Sequence, residues 1–202
     1  MQADLILKDC RQLVTLRGGA EPRTGSAMSD PGIIAGGALA VKDGRILAVS
    51  TTAEIMAAYS APEVVSADGK LILPGFVDCH THPVFVHTRE DEFALRLAGK
   101  SYVEISLAGG GIRGTIRTTR DASEDLLFEL AAKRIRKMIA LGATTVEAKS
   151  GYGLDTASEL KQLRVIARLN KELSVTVVPT FMGAHEFPEE FKENHAAYVK
   201  IL

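Results

Sequence analysis

The chain has little cysteine: two residues in 202, Cys10 and Cys79, far apart in sequence. A disulfide framework needs more thiols at closer spacing, so a stapled secreted scaffold is disfavoured and a reducing cytoplasm fits. An excess of charge is lacking too. The formal net charge is −1, with no basic surplus to draw nucleic acid and no charged block to act as a tail. No apolar run approaches the ~20 residues that a membrane-crossing helix requires. Met1-Gln2-Ala3-Asp4 carries neither the basic flank nor the apolar stretch of a secretory leader. Internal repeats and low-complexity tracts are absent. These absences set the expectation of a cytoplasmic protein without nucleic-acid or membrane partners. The hydrophobic fraction of 46% is ordinary for a globular fold.

What is present falls into two rhythms. Residues 4–16 alternate loosely, as strands do, and 17–32 read as a loop rich in Gly, Pro, Ser and Thr. Ala38-Leu39-Ala40-Val41 and Arg45-Ile46-Leu47-Ala48-Val49 flank Lys42-Asp43-Gly44, a hairpin signal because Gly accepts positive φ at little cost. A short helix is expected over 52–60 and a turn at Ala67-Asp68-Gly69-Lys70. Residues 1–70 therefore read as a small β module. From 71 onward the pattern becomes strand and helix in alternation. Residues 123–141 have helical spacing, with Ser123 as N-cap and Gly142 as stop. A strand follows over 143–148, a helix over 156–173, a strand over 174–181, and a third helix from Pro188 to Leu202. Such alternation implies parallel βα units. A complete (β/α)₈ barrel takes ~250 residues, and 71–202 supply three matching strands. The helical pattern at Tyr198–Leu202 shows no stop signal, so the sequence is expected to be cut short and inactive alone. The expected architecture is α/β: the first part of a (β/α)₈ barrel, residues 71–202, preceded by a small β-sandwich module.

The chemistry concentrates in Leu71-Ile72-Leu73-Pro74-Gly75-Phe76-Val77-Asp78-Cys79-His80-Thr81-His82. Strand alternation puts His80 and His82 on one face, about 6–7 Å apart, where two imidazoles can converge on one metal ion. Such a metal lowers the pKa of bound water towards ~7. The alternative is a pair of histidines satisfied structurally at a strand end. Asp78 shares their alternation face and either supports the ligands or holds the local turn.

Pro74 to His82 resembles the first-strand signature of the amidohydrolase superfamily. Three further segments narrow the likeness to the imidazolonepropionase family: His82-Pro83-Val84-Phe85 leading to Thr88-Arg89-Glu90, Val146 to Leu154, and Pro179 to Glu186. Ala108-Gly109-Gly110-Gly111-Ile112 fits the same pattern. The resemblance implies hydrolytic opening of an imidazolone ring bearing a propionate chain, with one zinc or iron ion. It implies His80 and His82 as metal ligands, with a further His and Asp expected outside residues 1–202. It implies Arg89 and Tyr152 as substrate-binding residues and His185 as a substrate contact that polarises the ring carbonyl or moves a proton. The implied partner is a small carboxylate-bearing substrate, and the family allows a homodimer. A deaminase or other cyclic amidase of the superfamily, and a non-catalytic scaffold relative, remain alternatives.

Other residues are ambiguous. His87 stands where the family has a small residue, and solvent exposure is expected for it and for helical His195. Gly109-Gly110-Gly111 reads as a flexible loop, since it lacks the setting of a phosphate loop. Glu147 and Lys149 share a strand face. They are expected to form a buried ion pair at the barrel floor, the alternative being a carbamylated Lys149 at a second metal.

Overall fold

The computed structural model describes residues 1–19 and 21–202. They form two compact units, Met1–Pro74 and Gly75–Leu202. No helix among the described residues is long and apolar enough to cross a membrane.

The first unit is one mixed sheet of β1 (Leu5–Val14), β2 (Ile33–Lys42), β3 (Arg45–Thr51), β4 (Glu63–Ser66) and β5 (Leu71–Ile72), with α1 (Thr52–Ala58) between β3 and β4. The order is β3-β2-β1-β4, and β5 also pairs with β1. Asp43 and Gly44 turn between β2 and β3 with φ of 50° and 69°, the doubly left-handed geometry that matches strand twist and that Asp-Gly favours. Thr51 and Glu54 form a capping box that starts α1. Ile6, Ala38, Ala40 and Ile55 make its core. A second facing sheet, as a sandwich would have, is not formed by the described residues of this unit. The unit also extends beyond the turn at 67–70. The apolar Leu71–Ile72 pair with Gln12 and Leu13 of β1, and pairing stops before Pro74, which has no N–H to continue a ladder.

The second unit is a parallel sheet of β6 (Phe76–Thr81), β7 (Ala143–Lys149) and β8 (Thr176–Thr180) in the order β6-β7-β8. Its crossover helices are α5 (Glu124–Ala140) and α6 (Thr156–Glu172). Ser123 caps α5 by accepting the Leu126 N–H, and Asp155 caps α6 by accepting that of Ser158. Leu127, Phe128, Ala131, Ala132 and Ile135 from α5 pack with Val165, Ile166 and Leu169 from α6 over Val146 and Ala148 of β7. Each of the larger side chains contributes roughly 1.5–3 kcal/mol by leaving water. The opposite sheet face is open. Val77 and Val178 are exposed there, as expected of three strands from a barrel of eight.

Three helices between β6 and α5 were not anticipated: α2 (Glu90–Leu97), α3 (Tyr102–Leu107) and α4 (Gly111–Asp121). The triple glycine spans the connection from α3 into the start of α4. Gly110 is the N-cap of α4, and the Gly111 N–H donates to Glu92 Oε1 at 2.6 Å. The final helix differs as well. A 3-10 turn at Glu189–Phe191 precedes a short α7 (His195–Val199), because Asn194 interrupts and caps it through the Ala197 N–H.

Tyr198 of α7 is buried, and its hydroxyl donates to Gly183 O at 2.6 Å. Burial, reinforced by the Glu159 charge, pushes the phenol up to about 12. The unfolded phenol ionises near 10, so the folded state holds the proton longer. This contribution is intact below pH 10 and is lost as pH rises through 12. It amounts to on the order of 3 kcal/mol. Urea titrations at pH 9 and pH 12 should show a steeper loss for the parent than for Tyr198→Phe; parallel losses would refute the assignment.

Candidate functional site

The carboxyl ends of β6, β7 and β8 bring four of the expected residues together. The His80 and His82 rings lie 5.9 Å apart, and His82 stacks on His185 at 4.7 Å with 16° between planes. Tyr152 stands 5.1 Å from His82 and 5.4 Å from His185. Phe85 closes on Tyr152 edge-on at 6.1 Å. Arg89 lines an adjoining cleft of ≈ 300 Å³ with Phe85, Thr88, Thr115 and Tyr152.

Backbone carbonyls orient two of the histidines. His82 Nδ1 lies 3.1 Å from Ser150 O, and His185 Nδ1 lies 2.8 Å from Gly151 O. A carbonyl only accepts, so each Nδ1 is the donor, and in the neutral ring Nε2 keeps its lone pair. Burial, together with the neighbouring His185, lowers the His82 pKa and favours its neutral form. A neutral imidazole with a free Nε2 is what a metal needs. The separation of the two rings also lies within reach of one ion at ~2.0–2.1 Å from each nitrogen. The donor pair therefore fits a metal, although two nitrogens do not complete a site. Among the described residues no group of three or more His, Cys, Asp or Glu is placed to hold a metal ion.

Asp78 does not join them. Between Asp78 and Thr81, β6 advances one residue more than β7, which breaks the alternation that would align Asp78 with His80. Its carboxylate instead accepts the His80 backbone N–H in a long bond of 3.5 Å. Glu147 and Lys149 do pair, largely shielded from solvent. They sit at the carboxyl end of β7 rather than at a floor, and Glu147 also accepts the Thr81 N–H at 3.3 Å. His87 is exposed. His195 is remote from the cluster in its contacts, stacking on Phe187 at 3.7 Å.

Arg89 is aimed by a residue that sequence alone did not single out. Its Nε and Nη2 donate to Thr115 Oγ1 at 3.3 and 3.0 Å. That occupies the side edge of the guanidinium and leaves the Nη1–Nη2 end for an anion. Burial raises the Tyr152 pKa, and the Arg89 charge opposes it in part; the phenol stays a donor at neutral pH. Arg134 was also missed. From α5 it donates to the carbonyls of Pro83, Phe85 and Val86 at 3.0, 2.6 and 3.1 Å, and its guanidinium lies 3.6 Å over the Phe85 ring. It thus fixes the segment joining His82 to Arg89. A third missed residue is Glu159, buried under the Tyr152 loop.

No family model matches the chain. It is 49% identical over 202 residues to the imidazolonepropionase of Symbiobacterium thermophilum, covering 98% of this chain and 47% of that protein. To the imidazolonepropionase of Solibacter usitatus it is 47% identical over 202 residues, covering 99% and 48%. The chain spans about half the length of the curated relatives it matches. Among solved structures, the Escherichia coli guanine deaminase superposes with a TM-score of 0.57 at 18% identity, over 86% of this chain and 36% of that one. An adenosine deaminase from Xanthomonas campestris with bound zinc gives 0.52 at 17% identity, over 89% and 42%. These likenesses show the fold: part of an amidohydrolase-type (β/α)₈ barrel with its preceding β module.

Proposed function

We propose that this chain is the portion of an imidazolonepropionase that carries half of a metal site and the arginine that receives the substrate's acid group. The observation that supports it best is the convergence of His80, His82, Tyr152 and His185 beside the Arg89 cleft. His80 and His82 would hold one zinc or iron ion. Zinc in the Xanthomonas structure of the same fold is in keeping with this, and the remaining ligands would come from outside residues 1–202. Bound there, the ion would supply a Lewis acid and a water acidified towards neutrality.

The chain's own residues would do the rest. Arg89 grips the propionate end-on, since Thr115 holds its side edge. Tyr152, protonated at neutral pH, donates to the substrate from the wall between that cleft and the histidines. His185 turns Nε2 towards the ring, its Nδ1 held by Gly151. Fixing both ends of a small substrate spares the reaction much of its entropic barrier. Water adds to the ring carbonyl carbon, the ring C–N bond breaks, and N-formimidoyl-L-glutamate results.

The test uses the complete open reading frame, loaded with zinc or iron and supplied with 4-imidazolone-5-propanoate. Loss of the substrate's ultraviolet absorbance is the expected result; metal-loaded protein that leaves it untouched sinks the reading. Arg89→Ala should reduce kcat/KM by about 10- to 150-fold, the ~1.5–3 kcal/mol of a hydrogen-bonded charge contact. The loss should fall chiefly on KM. Thr115→Val, which frees the guanidinium to wander, should raise KM less and leave kcat unchanged.

A further inference from the structure

Six residues, Ser150 to Asp155, link β7 to α6, and the first three of them touch His82, His185 and the Arg89 cleft. Ser150 O orients His82, Gly151 O orients His185, and Tyr152 packs alongside both rings. Their path is not a relaxed one. Gly151 has φ of 102°, and Leu154, which is not a glycine, has φ of 55°. Something must hold the backbone there.

That something is a single carboxylate. Glu159 lies in the first turn of α6 and is 3% exposed. Its Oε1 accepts the N–H groups of Gly151, Gly153 and Leu154 at 3.1, 2.8 and 2.9 Å. Its Oε2 accepts that of Gly151 at 3.0 Å. Gln162 Nε2 adds a long contact of 3.4 Å to Oε1. Three backbone donors within four residues all face one side chain.

We infer that Glu159 is the positioning residue of this site: by gathering the N–H groups of the 151–154 loop it fixes where the Ser150 and Gly151 carbonyls lie, and through them the Nδ1–H tautomers of His82 and His185. The inference rests on the functional reading above only in naming His82 a metal ligand. The tautomers themselves concern the metal-free protein. Glu159 touches no reacting atom; it acts through the loop. An imidazole oriented by a carbonyl presents its other nitrogen ready for a ligand, and loss of such a supporting partner typically lowers metal affinity 10–100-fold.

Glu159→Gln tests this, because an amide replaces one accepting oxygen by an NH₂ group that opposes a loop N–H. Histidine-selective nitrogen NMR on the metal-free complete open reading frame should show single Nδ1–H forms for His82 and His185 in the parent and tautomer mixtures for both in Glu159→Gln. Retained single forms in a folded variant would overturn the inference. If the variant does not fold, amide exchange in the parent decides: Gly151, Gly153 and Leu154 should exchange as slowly as Val146 in β7, and exchange at exposed-loop rates overturns the inference. Zinc titration separates the two readings. A tenfold or greater loss of affinity in Glu159→Gln supports the coupling to the metal site. A parent that binds no zinc removes the metal reading, while the tautomer result still decides the role of Glu159.

Discussion

His82→Ala, introduced into the complete open reading frame, lowers zinc affinity by about two decades, and His80→Ala does the same; His185→Ala changes it by less than tenfold. The contrast follows from geometry. A four-ligand structural zinc site is worth ~10–16 kcal/mol overall, so one ligand carries about 3 kcal/mol. His80 and His82 stand on one short stretch of chain with rings 5.9 Å apart. The Nε2 of His82 is left free by the carbonyl on its other nitrogen. His185 presses on His82 at 4.7 Å, yet in the proposed reaction it faces the substrate. Competition against a chromogenic chelator measures all three, with circular dichroism confirming that each variant folds. Hydrolysis of 4-imidazolone-5-propanoate should vanish in the first two and fall in the third. Equal affinity losses at all three positions would merge His185 with the ligands. No loss at His80 or His82 would remove the metal from this part of the molecule.

The parts of this picture that were legible in sequence share a cause. Where a residue's structural role is local, its signal is local. Asp43-Gly44 makes its turn from its own φ angles, and Ser123 caps the helix it precedes. The apolar faces of α5 and α6 recur at helical spacing because leucine, isoleucine, phenylalanine and alanine fill them. The helix α4 was illegible for the converse reason. Its buried face is Gly111, Thr115, Ile116 and Thr119, so polar residues with poor helix propensity stand where a hydrophobic stripe would have announced it. One of the buried threonines has a visible role: Thr115 holds Arg89.

The site divides in the same way. His80 and His82 could be nominated from strand alternation, and Arg89, Tyr152 and His185 from the family resemblance; the structure places four of them in one cluster with Arg89 in the next cleft. The residues that hold them in place could not. Arg134 and Glu159 bind backbone groups on other segments, and in sequence each is one more charge on an amphipathic helix. Burial distinguishes Glu159: a carboxylate 3% exposed must be satisfied, whereas a surface glutamate need not be. Of the two readings open for Asp78, the local one fits: its carboxylate accepts the His80 N–H two residues on, and one extra residue in β6, a bulge that no side-chain pattern reports, breaks its alternation with His80.

Gly151→Ala measures how tightly the loop and His185 are fitted. A Cβ at Gly151 would lie 2.9 Å from His185 Nδ1, 2.9 Å from Met182 O and 3.0 Å from His185 Cβ, closer than real contacts allow. The backbone there also has φ of 102°, which an L-residue enters at about 1–2 kcal/mol. Overpacking adds roughly 1–3 kcal/mol. The variant should therefore lose about 2–5 kcal/mol of stability. Gly99→Ala separates the two costs, since Gly99 has φ of 89° with nothing within 4 Å of its would-be Cβ. It should show the backbone part alone and leave the site untouched. The excess in Gly151→Ala is then the clash, and the piece able to yield is the His185 ring, because Met182 O belongs to the main chain. A displaced ring loses both its bond to Gly151 O and its stack on His82. Activity should consequently fall much further in Gly151→Ala than in Gly99→Ala, at temperatures where both are fully folded. Equal activities would mean that His185 can leave its place without consequence, and its proposed contact with the substrate ring would have to be given up.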